Sequence, residues 1–286
     1  MRRSRRAASC CFLLFAVSLA QRSLSMTNVY KVGGLPEKIE VDLVRTLEGL
    51  EARTFATRLR QFGPDFQVFR KGFVLSLELV HLLGDMPPKD DYDRTQRDLT
   101  CDTLDSLWCA ERALLHGYEN QALVLLRRAY ETTALMAYFF NFPEKVTDWQ
   151  NGKMLRQSVI RKSLGTAPVP ESKEGLDEMY RVYSLFSHLN RETLYHRLLG
   201  EDNCLTLGSQ GNVDEDSVGA VVNELLRQTM WFVDVSNFTF AKLGLRPEAA
   251  FVKQMLAYRD EVQAVAKRLP KLFSDQPKAG KPSGSA

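Results

Sequence analysis

In "LDEMYRVYSLFSHLNRE", Tyr180, Ser184 and His188 recur at every fourth position. A helix stacks side chains of that spacing on one face, and Asp177, Ser187 and Arg191 lie within roughly 100° of them. The face offers hydroxyls, a titratable imidazole and a guanidinium, groups suited to general acid–base work or to holding an anionic ligand. Leu176, Met179, Val182, Leu185, Phe186 and Leu189 cover the other side. A second stretch, "ALVLLRRAYETTALMAYFF", is apolar on almost every side yet carries Arg127, Arg128 and Glu131 at its centre. Asn120, Arg127, Glu131 and Tyr138 fall in a stripe roughly 20–40° wide, with Arg128 just beside it.

Two readings of these stripes are open. Each is a solvated face, with Arg127 and Glu131 an ordinary i,i+4 pair worth roughly a few tenths of a kcal/mol. Alternatively the stripes face one another across a polar cleft, where charges must be paired to be tolerated. The second reading carries a definite expectation: Arg127 and Glu131 meet Tyr180, Ser184 and His188.

The elements that must position these residues all read as helices. "LPEKIEVDLVRTLEGLEARTFATRLRQF" predicts a helix that stops at Gly63-Pro64, and "DFQVFRKGFVLSLELVHLLG" a second one ending at Gly84. "DDYDRTQRDLTCDTLDSLWCAERALLHG" starts with acidic residues, which favour a helix N-terminus, and closes on Gly117. The apolar helix follows, and then "PEKVTDWQNGKMLRQSVIRKSL" as one helix with Pro143 in its first turn. "GTAPVPESKEG" is a turn-rich loop, and "GEDNCLTLGSQGNVDED" is irregular, with a strand-like "CLTL". Two helices, "DSVGAVVNELLRQTMWFVDVSNFTFAKLG" and "PEAAFVKQMLAYRDEVQAVAKRL", complete the body. The expected fold is all-α, a single bundle of about eight helices over residues 29–272. Residues 273–286 read as a disordered tail.

With 286 residues, 44% hydrophobic and 26% charged, the chain has an ordinary globular composition and length enough for a sizeable core. A net charge of +3, part of it in "MRRSRR", implies neither nucleic acid nor membrane by itself. The cysteines, at 10, 11, 101, 109 and 204, show no zinc spacing. Cys101 and Cys109 are eight apart in one helix, about 12 Å of rise, too far for a disulfide, and read as small core residues. "MRRSRR" followed by "AASCCFLLFAVSLAQ" has the form of a signal peptide, with Ser18 and Ala20 before a cut at Gln21. Its apolar run is too short to span a bilayer, so no stable membrane insertion is expected. The rival reading starts translation at Met26. The odd number of body cysteines favours it and places the protein in the cytoplasm; export is the alternative.

No dinucleotide fingerprint, Walker loop, HExxH, nucleophile elbow or di-iron Glu-x-x-His is present, so no cofactor or metal is expected. His81 and His116, in apolar or helix-end settings, read as structural. Trp108, Trp149 and Trp231 read as core aromatics.

The Leu-Arg-x-x-x-Glu helix "LLRRAYE", the "PEKVTDW" helix after its proline break, and the Tyr-x3-Ser-x3-His helix together resemble a bacterial all-helical family of unknown function. The resemblance covers roughly residues 100–240 and matches Arg127, Glu131, Tyr180, Ser184 and His188 to the family's positions. That family is similar in fold to HEPN-type helical proteins, many of which are endoribonucleases in toxin or phage-defence systems. Their signature is an arginine, four to six residues and then a histidine. "RETLYH" supplies Arg191 and His196, and "RVYSLFSH" supplies Arg181 and His188. The residue after the arginine, usually Asn, Asp or His in those nucleases, is Glu192 or Val182 here. The resemblance implies an RNA-binding or RNA-cleaving stress or defence effector, metal-independent and homodimeric, with His188, Arg191 and His196 catalytic. Arg127, Glu131, Tyr180 and Ser184 would bind its ligand. The alternative is a non-enzymatic helical module that binds a protein partner or a small anion.

Overall fold

The computed structural model describes residues 37–84, 86–167, 172–187, 215–245 and 247–271. The expected leader or early start, "CLTL" and the C-terminal tail lie outside these residues. Contacts divide the chain after Glu48. The described part of the first unit is helical throughout, and everything below concerns the second unit, Gly49 onward.

Among the described residues there are eight helices and no strand. They are α1 (Glu37–Gly84), α2 (Asp91–Leu115), α3 (Glu119–Asn141), α4 (Lys145–Gln150), α5 (Gln157–Leu164), α6 (Lys173–Ser187), α7 (Glu215–Lys242) and α8 (Ala249–Arg268). The fold is all-α, as the periodicity predicts. At its centre α3 packs against α2, α5, α6 and α7. The core joins Phe66 and Phe69 of α1, Leu107 and Leu114 of α2, Leu126 and Tyr130 of α3, Leu225 and Phe232 of α7, and Val262 of α8. Trp108, Trp149 and Trp231 pack half-buried against it.

Local chemistry sets several boundaries. The Asp90 side chain accepts from the Asp93 backbone N–H at 2.7 Å, an N-cap for α2 reinforced by Asp91 and Asp93 in its first turn. Gly117 closes α2 at φ +83°, a left-handed conformation that suits glycine. Arg97 donates to Asp93 and also to the carbonyls of Leu83 and Met86 (2.7 Å each), tying the end of α1 to the start of α2. Burial pushes the Asp93 carboxyl up. The bonds from Arg97 and the Lys89 N–H outweigh it and hold the group below its ordinary value.

Three sequence expectations are corrected. The break at Gly63-Pro64 does not occur, and α1 runs through Pro64. Proline in a helix interior costs about 3 kcal/mol. Phe62, Phe66, Phe69 and Phe73 nevertheless continue one buried face across it, each contributing about 1.5–3 kcal/mol. Conversely, the single helix expected from Pro143 is interrupted. Gly152 takes φ +84°, and its N–H and that of Lys153 close on the carbonyls of Trp149 and Asp148, ending α4 six residues before α5 begins. Finally, Cys101 and Cys109 are free thiols on the exposed side of α2, beside Asp98 and Asp105, because Leu104, Leu107 and Leu114 take the inner side.

Gly72 of α1 lies against the Tyr258 side chain of α8. A Cβ there would lie inside van der Waals contact of the Tyr258 ring, which is buried. Gly72→Ala should therefore destabilise the fold by about 1–3 kcal/mol, measured by urea denaturation. Replacing Tyr258 by leucine on the Gly72→Ala background should recover part of that loss.

Candidate functional site

The three charges at the middle of α3 each have a partner. Arg127 Nε donates to Glu131 Oε1 at 2.8 Å within the helix. Arg128 forks onto Asp102 of α2, with bonds of 3.1 and 2.5 Å. Nearer the start of α3, Glu119 receives Arg58 of α1 at 2.9 Å, with both side chains nearly buried.

The expected meeting of the two stripes takes place at Tyr180. Arg127 Nη2 lies 3.5 Å from the Tyr180 hydroxyl, and its guanidinium carbon is 5.4 Å from the ring centroid. A second guanidinium, Arg161 of α5, stacks more closely on the same ring at 3.9 Å. Arg161 Nε donates to Asp177 at 2.7 Å, and Lys173 Nζ reaches the other Asp177 oxygen at 2.8 Å. These bonds from Lys173 and Arg161 hold the Asp177 carboxyl below its ordinary value. Arg161 is only 11% exposed, and its Nη1 is buried without a hydrogen-bond partner among the described residues.

Beneath the pair, Tyr130 of α3 is fully buried. Its hydroxyl donates to the Leu176 carbonyl at 2.8 Å, and its ring contacts those of Tyr180, Tyr183 and Trp231. Tyr183 donates in turn to the buried carboxyl of Glu224, which also pairs with Arg227 at 2.8 Å.

The arrangement brings together Arg127, Glu131 and Tyr180. Ser184 stands one turn further along α6, half-buried. His188, Arg191 and His196 lie outside the described residues. The stripe is not continuous along α3: Tyr138 is 5% exposed and packs against Phe139 and Phe142. His116 caps the end of α2 beside Phe55 and Arg112. Sequence reasoning missed Arg161. Nothing in the short α5 marks it, because its stacking depends on an aromatic ring from another helix.

Chemically, the cluster is a pair of oriented guanidiniums on one phenol ring, each also bound to a carboxylate. Such a set can hold an anion or position a proton donor. Among the described residues no group of three or more His, Cys, Asp or Glu could hold a metal ion, and no helix is long and apolar enough to cross a membrane. Comparisons with protein families, with curated proteins and with solved structures found no match to this chain.

Two measurements follow from this geometry. Tyr180→Phe keeps the stacked ring and should change stability by less than about 0.5 kcal/mol, whereas Tyr180→Ala strands both guanidiniums and should cost about 1–2 kcal/mol. Chemical denaturation of the two variants distinguishes these outcomes. Burial, only partly offset by Arg227 and Tyr183, raises the Glu224 carboxyl above its ordinary 4.5. A carboxyl raised by folding contributes its stability below that ordinary value and loses it as pH rises through the folded one. Glu224→Gln should therefore stabilise the protein at neutral pH, with the gain shrinking to nothing at about pH 4. Parallel unfolding curves at the two pH values test the sign.

Proposed function

We propose that the chain is a HEPN-like helical protein that binds or cleaves RNA as a stress or defence effector, with the α3–α6 polar cluster at its site. The contact of Arg127 with Tyr180 carries this reading. It joins the two stripes whose motifs resemble the family, so that both contribute to one polar site. Cleavage without a metal needs a histidine to take the proton of the attacking ribose hydroxyl and a proton donor for the leaving oxygen. It also needs a cation to stabilise the phosphorane. His188 and His196 are assigned the proton transfers and Arg191 the charge, while Arg127, Glu131, Tyr180 and Ser184 orient the nucleic acid. The composite sites of the resembled family imply a homodimer.

One observation favours a second reading, in which a non-enzymatic module holds a small anion. Arg161 is stacked and oriented, with one terminal nitrogen that has no partner among the described residues.

Induced expression of wild type beside His188→Ala and His196→Ala separates the two. For an RNase, wild type should slow growth and degrade total RNA in purified form, and either variant should lose at least about 100-fold of the cleavage rate. Harmless expression together with intact RNA would sink the nuclease. In that case, phosphate raising the melting temperature of wild type but not of Arg161→Gln would support the anion module.

A further inference from the structure

On the side of α6 away from the polar cluster, a groove of about 760 Å³ runs between α6, α7 and α8. Its floor is aliphatic: Val182 and Val262 are buried, and the flexible side chains of Met179 and Met230 are half-buried. Methionines that can repack suit a surface that accepts varied apolar side chains. The rim is cationic. Lys267 and Lys271 are exposed and enter no ion pair among the described residues, and Arg227 is 40% exposed beside Glu224. The other rim carboxylate, Glu178, is drawn to Arg181.

An independent observation comes from Asn223, which lines the same groove and is fully buried. Its amide nitrogen donates to the carbonyls of Leu269 and Pro270, which fixes the orientation of the amide. Its side-chain oxygen, Oδ1, has no donor among the described residues. A buried acceptor without a partner is uncommon and costly, and an N–H group from a ligand would satisfy it.

We infer that this groove is a docking site for a short acidic peptide segment of a partner protein, its apolar side chains on the methionine floor and its carboxylates at Lys267 and Lys271. A peptide supplies all three complements: apolar anchors, negative charge and backbone N–H groups for Asn223. Single-stranded RNA would supply the charge. The described residues lining the groove, however, include no aromatic ring on which a base could stack.

The test is fluorescence anisotropy on the full chain with a short fluorescein-labelled peptide of leucines flanked by glutamates. The same peptide with lysines in place of the glutamates serves as its control. The acidic peptide should bind and the basic one should not. The double variant Lys267→Glu/Lys271→Glu, changed only at exposed positions, should weaken acidic binding by roughly ten-fold or more and gain the basic peptide. Lys253→Glu, on α8 but outside the groove, should do neither. The inference is overturned if both peptides bind alike or if Lys253→Glu matches the double variant. It is equally overturned if a uridine oligonucleotide displaces the peptide and shows the same lysine dependence.

Discussion

The bundle is built around the apolar packing of α3, whose buried side chains meet four neighbouring helices and whose charges each find a partner. α3 packs against four other helices, yet its charges are unequally covered: Glu119 and Arg127 are mostly buried, Glu131 is 32% exposed and Arg128 is 65% exposed. Each charge is met by a group chosen for geometry. Glu131 sits one turn from Arg127, Asp102 takes the planar fork of Arg128, and Arg58 reaches across from α1 to Glu119. The Arg128–Asp102 fork adds one directional contact to the close-packed side chains that already hold α2 on α3.

Much of this arrangement was legible in the chain. The Asp90 cap, the left-handed Gly117 and the apolar periodicity of α3 are local signals, and each acts where its residue stands. The meeting of Arg127 with Tyr180 was one of two readings open in the chain, the other being that each stripe is a solvated face. What escaped was decided at a distance. Pro64 is a strong local signal for a break, overruled by the run of phenylalanines on either side of it. The interruption after Gln150 ran the other way, because Asn151-Gly152 sits inside a pattern that otherwise favours one long helix. Arg161 could not be found from its own helix, because a stacked guanidinium is a property of two helices, and only one of them holds the ring.

α6 links the two surfaces of interest. Asp177 and Tyr180 face the guanidinium cluster, while Glu178, Met179 and Val182 line the groove on its other side. Tyr183, fully buried between them, touches Tyr130 on one side and Glu224 on the other. A rotation of α6 about its axis would therefore change both surfaces together, because Tyr183 is fully buried between them.

The outward cysteines of α2 have a practical meaning. Cys101 and Cys109 stand about 12 Å apart along a single rigid rod, both open to solvent and neither part of the packed interior. A maleimide dye or a nitroxide attached at either position would leave the helical core undisturbed. The known spacing between the two positions provides an internal ruler against which the approach of a second molecule to any other labelled point can be gauged.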